Sequence, residues 1–208
     1  MPLRRPHNSN TRVADPSRSE RDPQTLLAAL EAADPGTRRR AARELAGSPG
    51  ATSALVARLS CESDRSVSEV ILAALARQRD PVAVAALATC LRSEDPALRN
   101  DAIEAMRALP EGELAPVIGG LLADSDPDVR IFAVGVLAER RDAGLENLLL
   151  GVLPGEHHVN VCSALLEVLA EIGTARACAP VEACAARFPD EPFIQYACAL
   201  VIARAGDG

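Results

Sequence analysis

The sequence predicts an all-α chain, an α-α superhelix of about five to six stacked helical hairpins. Three observations lead there. Apolar residues make up 48 % of the chain, yet aromatics make up only 2 % and Trp is absent. The apolar mass is therefore Ala, Leu and Val, which suits close-packed helices better than a sheet. Helix starts recur as well. Aligned on their first residue, Asp34, Asp64, Asp95, Asp126, His158 and Asp190 stand at intervals of 30, 31, 31, 32 and 32. A fixed period of this size marks stacked supersecondary units, and the same chemistry returns at the same offsets within each unit.

Taken in order, the first element is the helix opened by Asp22-Pro23 and continued by QTLLAALEAA. It reads as an unpaired second helix of a hairpin, with Leu26 and Leu30 inward. Each anchor then opens a first helix, A. Three residues after the anchor stand Thr37, Val67, Leu98, Val129, Val161 and Phe193; five further on stand Ala42, Leu72, Ile103, Val134, Leu166 and Cys198. Three beyond those stand Leu45, Leu75, Met106, Leu137, Leu169 and Val201. Such offsets share one helical face and no strand face. Breakers follow at GSPG, RDP, PEGE, DAG and IGT. A second helix, B, then carries Leu55, Ala86, Val117, Leu149 and Val181, and one turn later Leu59, Cys90, Leu121, Leu153 and Ala185. The Asp-Pro steps have a local cause. Asp at the N-cap accepts from unpaired amides, and Pro at the first helical position has no amide to leave unpaired.

The units fall at 22–33 (half), 34–63, 64–94, 95–125, 126–157, 158–189 and 190–205 (half). They form one domain over 22–205, with the half units as end caps. Residues 1–21, rich in Arg, Ser, Asn and Pro, read as a disordered tail.

DPDVRIFAVGVL and DPALRNDAIEAM resemble the HEAT repeat unit of the armadillo-like superfamily, specifically the HEAT-like repeat named after phycobilisome lyases. That unit reads D-P-x-V-R-x-x-A-x-x-A-L, with a second helix that often opens near a Pro, here Pro116 and Pro180. The resemblance implies a solenoid whose B helices line the concave face. It also implies a ladder of hydrogen bonds from the unit's Asp and Arg. The Arg is present as Arg38, Arg99 and Arg130 but becomes Ser68, Cys162 and Ile194, so the ladder is expected to break at those units. His158 in place of Asp implies a weaker cap.

All 22 basic residues are Arg, against 29 acids, for a net charge of −7. Setting aside the first 24 residues, with five Arg and three acids, the body carries 17 Arg against 26 acids. Such a body repels a phosphate backbone, and nucleic acid is disfavoured as a partner. No stretch reaches the roughly 20 apolar residues that span a bilayer. The N-terminus lacks the apolar core of a secretory signal, and a cytoplasmic chain is expected.

Candidate chemistry is sparse. The six cysteines, at 61, 90, 162, 178, 184 and 198, lie in apolar helical stretches without CxxC spacing and read as small buried hydrophobes in a reducing compartment. Helix neighbourhood would let Cys162, Cys178, Cys184 and Cys198 approach one another. Glu156-His157-His158 is the one His cluster, and a single turn supplies too few ligands for a di-iron centre. Asp124, Asp126 and Asp128 alternate as in a calcium loop, but Val129 and Gly135 occupy its Gly and Glu positions. No Ser-His-Asp set, P-loop or glycine fingerprint occurs. No catalytic residue, metal or cofactor is assigned.

Seven residues before each anchor stand Ala57, Ala88, Gly119, Gly151 and Ala183, all small. They would open a smooth trough along the B helices, or simply let those helices pack closely. Arg58, Arg92 and Arg187 would rim the trough and meet an acidic partner. Tyr196 is a further contact candidate. The function expected is a non-catalytic interaction scaffold or adaptor, presenting its concave B face to another protein. The alternatives are a lyase-like accessory handling a tetrapyrrole or similar cofactor, which rests on the resemblance alone, and nucleic-acid binding through an Arg strip.

Overall fold

A computed structural model describes residues 22–206. The tail expected at 1–21 lies outside these residues. Among those described, the chain is helical with short turns and no strand. The A layer is α2 (Pro35–Leu45), α4 (Arg65–Gln78), α6 (Pro96–Arg107), α8 (Pro127–Leu137), α10 (Val159–Ile172) and α12 (Pro192–Gly206). The B layer is α1 (Pro23–Ala29), α3 (Thr52–Leu59), α5 (Pro81–Cys90), α7 (Glu111–Leu122), α9 (Leu145–Val152) and α11 (Cys178–Arg187). Each A helix packs on the next one along, and most B helices pack on the A helix that follows them.

The helix starts obey the capping rule. Asp34, Asp64, Asp80, Asp95 and Asp126 each accept a backbone N–H of the first turn. Asp22 heads α1 without a side-chain cap bond. His158 also makes none, as its chemistry implies; instead the Glu156 carboxylate accepts the amides of His157 and His158 at 2.9 and 2.8 Å. The last anchor needs a correction: α12 begins at Pro192, not directly after Asp190. Pro at the first helical position sets the start, and Glu191 takes the place before it, its carbonyl receiving the Gln195 amide.

The core runs unbroken through every unit. Val67, Val129 and Val161, then Leu72, Val134 and Leu166, then Leu45, Leu75, Met106, Leu137, Leu169 and Val201 are buried at their shared offsets, and Leu55, Leu149 and Val181 fill the B side. Phe193 departs from the pattern. It stands 58 % exposed at the start of α12, which packs on α10 and α11.

Candidate interaction surface and thiol cluster

Of the five small residues, Gly119 and Gly151 line one hollow. Ala57, Gly119, Gly151 and Ala183 are exposed and Ala88 is half-buried. Close packing does not explain the glycines: a Cβ built on Gly119, Gly120 or Gly151 would meet nothing within 4 Å. The space in front of them is open.

Part of it lies between α7 and α9. Helix α3 packs on α5 and α5 on α7, whereas α7 and α9 hardly touch. A groove of about 920 Å³ lies there. Gly119, Leu122, Leu148, Gly151 and Val152 form its apolar lining, and Asn147, Glu156, His157 and His158 stand among its polar groups. A second hollow of about 240 Å³ continues it past Gly119 and Leu148 toward Leu114 and Leu145. Helix α9 passes into a 3-10 turn at Leu153–Gly155. Its connection from α8 is held instead to the end of α6, where Arg140 donates to the carbonyls of Arg107 and Leu109 at 3.3 and 2.8 Å.

Charge is divided between the layers. Exposed positions of α2, α4, α6 and α10 carry Arg39, Arg40, Arg43, Glu69, Arg77, Glu104, Glu167 and Glu171, whereas α12 exposes Phe193, Tyr196 and Leu200. Exposed B-helix positions are Ala, Gly, Ser, Thr, Pro, Gln, Asn and Val, with Glu111 and Glu182 the charged exceptions among the described residues.

The three arginines expected at the rim are turned to groups of the chain itself. Arg58 donates to Glu62 at 3.0 Å and pairs with Glu31 at 3.6 Å. Arg92 pairs with Asp124. Arg187 donates to the carbonyls of Leu153 and Glu156 at 2.8 and 3.2 Å and lies 5.8 Å from the Phe188 ring. Little cationic character is left for an acidic partner. Tyr196 is 68 % exposed, but on α12 rather than on the B layer.

The ladder arginines also differ from expectation. Their partners are not the anchor aspartates but carbonyls just before them and glutamates at the far end of the same unit. Arg38 donates to the carbonyls of Ala32 and Ala33 and grips both carboxylate oxygens of Glu62 at 2.8 and 2.7 Å. Arg130 repeats the arrangement with the Asp124 carbonyl and Glu156, at 2.8 and 3.0 Å to its two oxygens. The Arg38 hydrogen bonds, outweighing burial, hold the Glu62 carboxyl down at about 2. Burial raises the Glu156 carboxyl, and the Arg130 bonds and the amides of His157 and His158 outweigh it, so it too sits below the usual range. Arg99 keeps only a carbonyl, that of Ser93, and stacks 5.2 Å from Phe132. Where the series reaches Cys162, the thiol points to the Glu156 carbonyl at 3.6 Å, and Arg187 arrives from α11 to share that carbonyl. The glutamates were the missed partners. Their signal is an acid two residues before the next anchor, paired with the Arg near the start of the same unit.

The cysteines split. Cys162, Cys184 and Cys198 are buried, Cys90 and Cys178 half-buried, and Cys61 is exposed, against the expectation of uniform burial. Of the four expected to approach one another, Cys162, Cys184 and Cys198, one each from α10, α11 and α12, lie near enough to influence one another's titration. Cys184 sits at the centre. The hydrogen bond from Cys162 lowers its thiol against the effect of burial, helped by the Arg187 charge and a bond from Cys198. Its neighbours move the other way: Cys162 through that shared bond and burial, Cys198 through burial first. Nothing in the local sequence around Cys184 signals this, because the contacts come from three helices. Among the described residues, no group of three or more His, Cys, Asp and Glu side chains is placed to hold a metal ion.

A family model for HEAT repeats matches residues 23–107 and 114–203, most of the chain. The chain belongs to the HEAT-repeat family. Its repeats fit an all-α superhelix, a fold whose members commonly bind protein partners. Solved HEAT-like structures similar to it include the archaeal HEAT-like repeats protein of Thermococcus onnurineus NA1, at 17 % identity over 92 % of this chain and 90 % of that one, with a TM-score of 0.49. Human deoxyhypusine hydroxylase aligns at 16 % identity over 89 % and 85 % with a TM-score of 0.46. The complex of CpcE and CpcF of phycocyanin lyase from Nostoc sp. PCC7120 aligns at 18 % identity over 89 % and 94 % with a TM-score of 0.40. No curated protein sequence matches the chain. Among the described residues, no helix is long and apolar enough to cross a membrane.

Proposed function

We propose that this HEAT-repeat chain is a non-catalytic scaffold or adaptor that seats an amphipathic helix of a partner protein on its B layer, across the groove between α7 and α9. The observation that carries this reading is the division of charge between the layers. A face kept only in contact with water has no reason to lack charged groups, whereas the exposed B positions are small and almost uniformly uncharged beside the charged helices α2, α4, α6 and α10. Open glycines let a partner backbone come close, and the apolar lining from Leu122, Leu148 and Val152 gives its side chains a place to go. With Arg58 and Arg92 already paired to acids and a net charge of −7, the outer flank of the partner helix is basic rather than acidic, which favours encounter more than affinity. A cytoplasmic setting accords with six free thiols.

The test is a pull-down with the whole chain as bait, comparing wild type, Gly151→Arg and Glu139→Arg. Gly151→Arg places a long cation in the groove without meeting the core; Glu139→Arg alters an exposed residue just after α8. The expected result is a stoichiometric partner lost only with Gly151→Arg. Retention of that partner by Gly151→Arg would remove the groove from the account.

A further inference from the structure

Among the described residues, four large apolar side chains stand exposed, and three of them, Phe193, Tyr196 and Leu200, lie on α12. At spacings of three and four residues they share one face of that helix, and none of them lines the groove. Tyr196 and Leu200 are the fifth and ninth residues of α12. On α2 those positions hold Arg39 and Arg43, on α6 Asn100 and Glu104, on α10 Ser163 and Glu167. Those helices keep the face polar, whereas α12 turns two aromatics and a leucine to water, the mark of a contact surface. Charge of opposite sign flanks the stripe. Asp190 and Glu191 stand exposed just before α12, and Arg204 stands exposed in its last turn, held by the Ala170 carbonyl at 2.9 Å.

We propose that α12 is a self-association surface, on which a second copy of this chain seats its own α12 antiparallel about a two-fold axis beside Tyr196. Such a pairing is self-complementary. It sets Phe193 of each copy against Leu200 of the other, two turns away along the helix, and Tyr196 against Tyr196. The same arrangement brings Arg204 of each copy to Asp190 and Glu191 of the other and opposes the two helix dipoles. A parallel pairing would set Arg204 on Arg204 and acids on acids. A head-to-tail contact with the other end of the stack is disfavoured as well. There α2 exposes Arg39, Arg40 and Arg43, and burying unpaired guanidinium groups against an apolar stripe is costly. One helix from each copy covers less area than a permanent dimer buries, so the dimer forms reversibly as concentration rises. The contact is independent of the groove, which none of these residues lines.

The test is sedimentation velocity of the full chain across a concentration series, in reducing buffer so that the exposed Cys61 forms no cross-link. The expected result is a shift from one copy to two and no further. Tyr196→Glu, which sets like charges together at the axis, and Leu200→Arg should each abolish the dimer. Both side chains stand exposed, so the helical circular dichroism signal should not change. Arg204→Glu alone, and Asp190→Arg with Glu191→Arg alone, each set like charges together at both ends and should weaken dimerisation about tenfold. Mixing those two chains restores both ends and should return the wild-type affinity. The proposal is overturned by a chain that stays monomeric throughout, its stripe then serving a different protein, or by a dimer that survives both Tyr196→Glu and Leu200→Arg. Growth beyond two copies, or a mixture no tighter than either charge variant alone, overturns it equally.

Discussion

Replacing Glu62 by Gln keeps the shape of the side chain and removes its charge. The Glu62 side chain is fully buried. It accepts two hydrogen bonds from Arg38, one from Arg58, and the amides of Ser63 and Asp64 at 3.0 and 2.9 Å. Glutamine offers one acceptor oxygen to that set and turns an NH2 toward the guanidinium groups. The drop of the carboxyl from 4.5 to about 2 corresponds to about 3 kcal/mol, at roughly 1.4 kcal/mol per pH unit, and breaking a buried ion pair costs about 3–5 kcal/mol. A loss of about 3 kcal/mol is therefore expected at pH 7, read from urea unfolding followed by circular dichroism. The pH dependence has a definite sign. Because the folded carboxyl lies below its unfolded value, its contribution is present above about 4.5 and is lost as the pH falls toward 2. Wild type should weaken across that window and Glu62→Gln should weaken much less. A variant within about 0.5 kcal/mol of wild type at pH 7, or one with the same acid slope, would refute the clamp.

Other positions give independent checks by thermal or urea unfolding. Gly151→Ala should stabilise by up to about 1 kcal/mol, since the position is helical and its Cβ is unopposed; a loss would mean that the groove is filled. Gly173→Ala should destabilise by about 1–3 kcal/mol, because its Cβ would lie 2.5 Å from the Leu169 carbonyl oxygen. Arg79 closes α4 with a φ of 56°, so Arg79→Gly should gain about 1 kcal/mol by relieving left-handed strain.

What the sequence made legible was local. Capping by Asp34, Asp64, Asp95 and Asp126, and the inward march of Val67, Leu72 and Leu75, depend on residues a few positions apart, so period and face could be read directly. The start of α12 was misplaced by a residue because Asp190 matched the spacing while Pro192 set the geometry. What escaped reading joins residues far apart along the chain. Arg38 meets Glu62 and Arg130 meets Glu156 from opposite ends of one unit, where a helix-face pattern carries no information. Cys184 likewise draws its character from Cys162 and Cys198 on other helices. The trough residues Gly119 and Gly151 were visible as small, but the gap before them was not, since it depends on how α9 leaves α8.

The most direct measurement is hydrogen–deuterium exchange of the chain alone and with its recovered protein partner. If the partner helix lies in the groove, protection should concentrate in residues 111–123 and 145–155, with the outer turns of α8 and α10 unchanged. Protection confined to the A helices, with α7 and α9 exchanging as before, would contradict the account.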